Sequence, residues 1–265
     1  MAGPAAAAMS PGALREIAEA VAREAGHQLR EAFGGERVNV TAKSSPTDLV
    51  SEADHAAERL IRERLAAARP DDGFLGEEGG NATGSSGLRW VVDPLDGTIN
   101  FLFGIPQWAV SIACEDERGT LVGVIYDPMR DELWTAERDG PALLDGRPIE
   151  ASTRDDLATT LVATGFGYDA EVRRLQAAVA ADLLPQVRDI RRFGSAALDL
   201  AWTAAGRHDA YYERGLNAWD LAAGVLLCRR AGLAVRTLAP TPPAADGVLV
   251  APHPLVDALE AIVAG

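Results

Sequence analysis

The sequence predicts a layered α+β fold. Two amphipathic helices open the chain, antiparallel strand groups with tight turns follow, and helices flank further strands to the end without a regular βαβ repeat. A change of composition at 150–156 marks two halves, 12–150 and 151–265, behind a flexible N-terminus at 1–11.

Over residues 13–33, Leu14, Ile17, Val21, Ala25, Leu29 and Phe33 recur at the helical period, and Gly34-Gly35 ends the run. A polar loop at 43–48 leads to a second helix over 51–68. Ser51 is its N-cap and Asp54 the acidic partner of a capping box; Pro70 and Asp72-Gly73 stop it. Strands at 73–77 and 88–93 enclose a Gly/Ser loop at 81–87. Residues 109–114, 121–127 and 132–136 read as antiparallel strands, and 140–149 as a hairpin turning at Asp145-Gly146. In the second half, strands at 158–164, 190–193, 208–212 and 248–251 alternate with helices at 171–184, 196–205, 218–231 and 254–263.

The 265 residues are enough to bury a large core. A net charge of −14 argues against a nucleic-acid partner, because phosphate backbones are held by excess Lys and Arg. Such a chain binds an anion only where metal cations or aimed backbone amides reverse the local field. Cys114 and Cys228, far apart in apolar stretches, predict buried free thiols in a reducing compartment, and so the cytoplasm. No basic segment precedes the Ala-rich start, and no apolar run reaches the roughly 20 residues of a membrane helix.

The strongest chemical signal is Trp90-Val91-Val92-Asp93-Pro94-Leu95-Asp96-Gly97-Thr98. An apolar strand delivers Asp93 at its end, Pro94 terminates it, and Asp96 follows three residues on. Gly97 lets backbone approach a ligand, and Thr98 begins a segment whose free amides favour an anion. Carboxylates beside an amide cradle suit a metal–phosphate site. Each part also has a plainer reading: Asp-Pro and Asp-Gly build turns, Glu77-Glu78 fits a solvated loop, and Asp54 and Asp220 fit helix caps. Two carboxylates about 5 Å apart repel by roughly 3 kcal/mol at an effective dielectric near 20, so convergence of these acids and dependence on divalent cations stand or fall together.

These segments resemble the inositol monophosphatase family, within the wider group of lithium-sensitive, metal-dependent sugar phosphatases. Gly76-Glu77-Glu78, Trp90 to Thr98, and Trp219-Asp220-Leu221-Ala222-Ala223-Gly224 match its motifs in order and spacing. Lys43 to Pro46, Asp48 to Ser51, Asp54, Gly194-Ser195-Ala196 and Tyr211-Tyr212-Glu213 extend the match over nearly the whole chain from Leu14. The resemblance implies an α-β-α-β-α sandwich of the inositol monophosphatase and fructose-1,6-bisphosphatase type, a homodimer, and two or three Mg2+ ions. By position it makes Glu77, Asp93 and the Leu95 carbonyl ligands of a first metal, and Asp93, Asp96 and Asp220 those of a second. A third, weaker ion would lie near Glu77. Asp54 and Thr98, with Glu77, serve the attacking water. Gly97 and Thr98 hold the phosphate, and Asp96, Gly194, Ser195, Ala196, Glu213 and Asp220 grip the alcohol. Lys43 lies in a mobile loop over the metals.

The implied substrate is a small sugar or cyclitol phosphate monoester, inositol monophosphate first. Related members act instead on fructose 1,6-bisphosphate, histidinol phosphate or nucleotides such as NADP, and some bacterial members also partner the transcription machinery. The four histidines fall outside every motif and read as structural. Two departures stand out: residues 233–243 lack the family's Gly-Gly and acidic segment, and Ile99 replaces a frequent second Thr.

Overall fold

The computed structural model describes residues 9–34, 41–42, 49–50 and 52–264; Lys43, Ser51 and residues 1–8 lie outside them. The first helix, α1 (Pro11–Ala32), starts two residues earlier than its apolar period suggests. The cause is local: Ser10 accepts from Ala13 N at 3.3 Å, and Pro11 fits the first turn, where no amide partner is needed. Leu14, Ala18, Val21, Ala25 and Leu29 form its buried face. Full burial of a Leu or Val is worth about 1.5–3 kcal/mol, so this stripe fixes the helix to its sheet.

After the short pair β1 (Thr41–Ala42) and β2 (Leu49–Val50) comes α2 (Glu52–Ala68). The first large sheet is built from β3 (Gly73–Gly76), β4 (Asn81–Ala82), β5 (Arg89–Asp96), β6 (Ala109–Asp116), β7 (Gly119–Asp127), β8 (Glu132–Glu137), β9 (Ala142–Leu144) and β10 (Arg147–Pro148), with the short α3 (Thr98–Leu102) after β5. Its order is β10-β9-β8-β7-β6-β5-β3-β4, an antiparallel meander except where β3 runs parallel to β5. The expected hairpin joins β9 to β10, with Asp145 and Gly146 both at positive φ in its two-residue turn.

The second half contributes β11 (Leu161–Thr164), α4 (Ala170–Leu183), β12 (Asp189–Arg191), α5 (Ala196–Ala204), β13 (Ala210–Arg214), α6 (Ala218–Arg230), β14 (Ala234–Leu238), β15 (Gly247–Ala251) and α7 (Val256–Val263). Its sheet runs β12-β11-β13-β15-β14. The interior strand β11 is parallel to both neighbours, which the expected antiparallel grouping did not include; α4 and α5 supply the crossovers.

Five layers result. Helices α1 and α2 cover one face of the first sheet through Leu14, Ile61, Trp90 and Val124. Helices α5 and α6 fill the space between the sheets, where Leu200 and Leu227 meet Trp134 on one side and Tyr211 on the other. Helices α4 and α7 close the outside through Leu183, Leu249 and Leu259. Both cysteines are buried and free. Among the described residues no helix is long and apolar enough to cross a membrane.

Three expectations need correction. Pro94 does not end its strand: β5 continues to Asp96, with Pro94 at an irregularity where a missing N–H breaks no regular ladder. The loop read over 81–87 begins instead as β4, paired with β3. Residues 234–238, given no element, form the edge strand β14 against β15.

Candidate active site

The floor of the site begins with the irregularity in β5. Asp93 and Asp96 lie three residues apart and would face opposite sides of a regular strand. Here Asp93 pairs with Ser111 and Asp96 with Ala109, so β5 carries one extra residue. Such a bulge re-aims side chains, and both carboxyls now converge. Asp93 Oδ1 accepts from Leu95 N at 2.9 Å. Asp96 reaches into the second half: it accepts from Ala196 N at 3.2 Å, from Ala197 N at 2.7 Å and, in a short bond, from Ser195 Oγ. It thereby caps α5 from another sheet, with the positive end of the helix dipole toward it. Asp220, in the first turn of α6, accepts from Asn217 N at 2.6 Å. Oxygens of Asp93, Asp96 and Asp220 all lie within 4.8 Å of one another.

Glu77 enters from the turn after β3. Glu58 of α2, which no sequence motif had singled out, shapes this turn by accepting from Glu78 N at 2.7 Å and Gly80 N at 3.0 Å. Beside the acids, Gly97 opens α3 at φ 100°, a left-handed conformation suited to Gly. Thr98 Oγ1 then stands 2.8 Å from Asp54 Oδ1 and 3.1 Å from the Leu95 carbonyl. Asp54 was expected as a capping residue or as a partner of Thr98; its fully buried carboxyl meets Thr98.

A cavity of about 630 Å³ connects these groups to Gly194, Ser195, Ala196 and Glu213, with Arg173 and Arg192 at the rim. Of the site residues expected from the sequence, Lys43 lies outside the described residues, as do Ser51 and the 44–48 part of the family match. Asn100 was not anticipated: its Nδ2 donates to the Gln107 and Phe193 carbonyls, both at 2.8 Å, tying α3 to the loop that carries Gly194.

Electrostatics follow from burial. Burial, then Glu77, Asp96 and Asp220, push Asp93 well above the usual carboxylate range. Burial lifts Asp220 to about 8, with the Asp96 charge adding to it. Burial also raises Asp96, but only to about 6, because Ser195 and the Ala197 amide stabilise its charged form. Each pair of carboxylates at this spacing repels by about 3 kcal/mol at an effective dielectric near 20. A hard divalent cation relieves that repulsion, and a cluster made only of oxygen donors is the chemistry Mg2+ selects. The acidic cluster fits a metal ion.

The model of the inositol monophosphatase family matches residues 12–263. The chain belongs to this family. A relative named inositol-1-monophosphatase SuhB, from Mycobacterium tuberculosis, is 45% identical over 262 residues, covering 92% of this chain and 90% of its own. A Nus factor SuhB from Xylella fastidiosa is 47% identical over 213 residues, covering 80% and 77%. Among solved structures, the extragenic suppressor protein suhB from Bartonella henselae superimposes with a TM-score of 0.87 at 38% identity, over 95% of this chain and 98% of that one. The five layers are the inositol monophosphatase fold, and the family is one of metal-dependent phosphatases.

Proposed function

We propose that the protein is a Mg2+-dependent phosphatase that hydrolyses a small sugar or cyclitol phosphate monoester, inositol monophosphate first, by direct attack of water. The observation that carries this reading is the convergence of Asp93, Asp96 and Asp220 in one cavity that Thr98, hydrogen-bonded to the buried Asp54, also lines. Glu77, Asp93 and the Leu95 carbonyl would hold one ion, Asp93, Asp96 and Asp220 a second, and Glu77 the edge of a third. Bound there, the ions supply Lewis acidity and positive charge toward the phosphate.

The protein's own groups do the rest. Thr98 donates its hydroxyl proton to Asp54, which leaves the Thr98 oxygen lone pairs to orient the attacking water and pass its proton on. The amides of Gly97 and Thr98 face the phosphate oxygens at the start of α3. Asp96 is held by three donors from α5 and its cap, so the floor is set before substrate arrives. Ser195, Ala196 and Glu213 contact the leaving alcohol. The enzyme is further proposed to be a lithium-inhibited homodimer of the cytoplasm.

The test is phosphate release from a panel of monophosphates that includes inositol 1-phosphate, run with Mg2+ and with EDTA. Magnesium-dependent release favouring the inositol ester supports the whole reading. Another preferred ester replaces the substrate, and no release from any ester overturns the reading. A second role as a partner of the transcription machinery is favoured by the relative named Nus factor SuhB. An Asp93→Asn variant separates the two, because a binding role survives it.

A further inference from the structure

Gly165 follows directly on β11, and Glu213 lies on the parallel neighbour β13. The register pairs Ala163 with Tyr211 and Thr164 with Tyr212, so Gly165 comes next beside Glu213. The Glu213 carboxyl does not stand out from its strand but folds across this position. A Cβ built on Gly165 would lie 1.9 Å from Glu213 Oε2 and 2.1 Å from both Cδ and Oε1. The carboxyl therefore occupies the volume that any other residue at 165 would fill.

In that pose Glu213 Oε2 accepts from Tyr211 Oη at 2.6 Å. Tyr211 and Glu213 are two residues apart on one strand and share a face, and Tyr211 is fully buried between the layers. Burial raises Glu213 to about 7, with Tyr211 and then Arg192 acting in the opposite direction. Gly194, Ser195 and Ala196 line the same cavity.

We infer that Gly165 and Tyr211 are positioning residues that fold the Glu213 carboxyl against the end of β11, leaving the cavity open for a polyol whose free hydroxyl Glu213 then reads. The inference rests on the phosphatase reading and on its placing of Glu213 against the leaving alcohol; what it adds is how that carboxyl is held. The geometry also says why Gly165→Ala is a clean probe. The clashing atoms are the far end of a flexible side chain, so Glu213 swings outward and the backbone keeps its place. Neither folding nor the floor carboxylates need change.

Gly165→Ala and Tyr211→Phe are assayed with Mg2+ on inositol 1-phosphate and on p-nitrophenyl phosphate, whose leaving alcohol has no further hydroxyl. The expected result for Gly165→Ala is that kcat/KM falls about tenfold more for the inositol ester than for the aryl ester, mainly through KM. In a Glu213→Gln background the same substitution adds little, because both act through one side chain. A crystal structure of Gly165→Ala should show the Glu213 carboxyl displaced from Tyr211 Oη. Equal losses on the two esters, or no loss at all, would overturn the positioning role while leaving the phosphatase reading in place. If wild-type protein releases phosphate from neither ester, the phosphatase reading itself fails, and the substrate role of Glu213 fails with it. Should Tyr211→Phe not fold, Gly165→Ala decides alone.

Discussion

The floor of the cavity and the wall that carries Glu213 are built on different terms. On the floor, Asp96 has three donors, Asp93 and Asp220 each take a backbone amide, and a bulge in β5 fixes their spacing. On the wall, Glu213 is placed by one hydrogen bond from Tyr211 and by the space Gly165 leaves open. The floor ties two sheets together through the cap on α5, so a change there touches both chemistry and structure. The wall can change with one or two substitutions. On the proposed phosphatase reading, the many-bonded part would be common to any ester and the lightly held part would read the leaving group.

The largest effect should come from the floor. Asp93→Asn is expected to lower turnover by about a thousandfold or more, since it removes the carboxylate shared by both proposed ions. A thermal-shift measurement checks the cause without activity: Mg2+ should raise the melting temperature of wild-type protein and not of the variant. Equal shifts would remove Asp93 from the metal site. Next, Thr98→Ala should lower kcat by about a hundredfold with little change in KM, because it removes the link between water and Asp54. A loss confined to KM would make Thr98 a binding residue only. On the wall, Glu213→Gln should raise KM for inositol 1-phosphate by about tenfold and alter kcat by only a few fold. A uniform loss on every ester would erase the distinction between floor and wall.

How legible was all this in the sequence? The floor acids stand in motifs, and helix α1 announces itself through its apolar period. The means by which Asp93 and Asp96 meet was hidden, because Pro94 reads as a strand terminator and only pairing with β6 turns it into part of a bulge. Strand β14 was missed because its five residues are mostly partly or fully exposed, and its identity comes from the ladder with β15. Glu58 belongs to no motif, and its role comes only from the fold, which brings its oxygens to the amides of Glu78 and Gly80. Gly165 carries no signal of its own: its importance is the volume it does not occupy.

The smallest effect concerns α5, the helix that joins floor to wall. Behind it, His208 Nε2 faces Asp199 Oδ1 at 3.7 Å, and His208 Nδ1 lies 3.0 Å from Thr203 Oγ1. Burial holds His208 down to about 4 and pushes Asp199 well above the ordinary carboxylate range. Between about pH 4 and 6.5 the folded state binds one proton fewer at His208 and one more at Asp199, so the two cancel. Above about 6.5 His208 is neutral in both states and, of this pair, Asp199 alone counts. At Asp199 the folded state then holds the extra proton, so its contribution to stability falls as pH rises, by up to about 1.4 kcal/mol per unit, until its folded pKa is passed; Asp93 and Asp220, also raised by burial, add to the decline. Asp199→Asn should flatten that decline. Denaturation of both proteins across pH 6.5–8.5 checks it; parallel curves would show that Asp199 is already ionised in the fold.

Crystals equilibrated with Mn2+ as a stand-in for Mg2+, and measured for anomalous scattering, bear most directly on the metal-dependent floor. Two peaks are expected, one between Glu77, Asp93 and the Leu95 carbonyl and one between Asp93, Asp96 and Asp220. A cavity with no peak, or with Mn2+ bound only elsewhere, would contradict a metal-dependent phosphatase built on these residues.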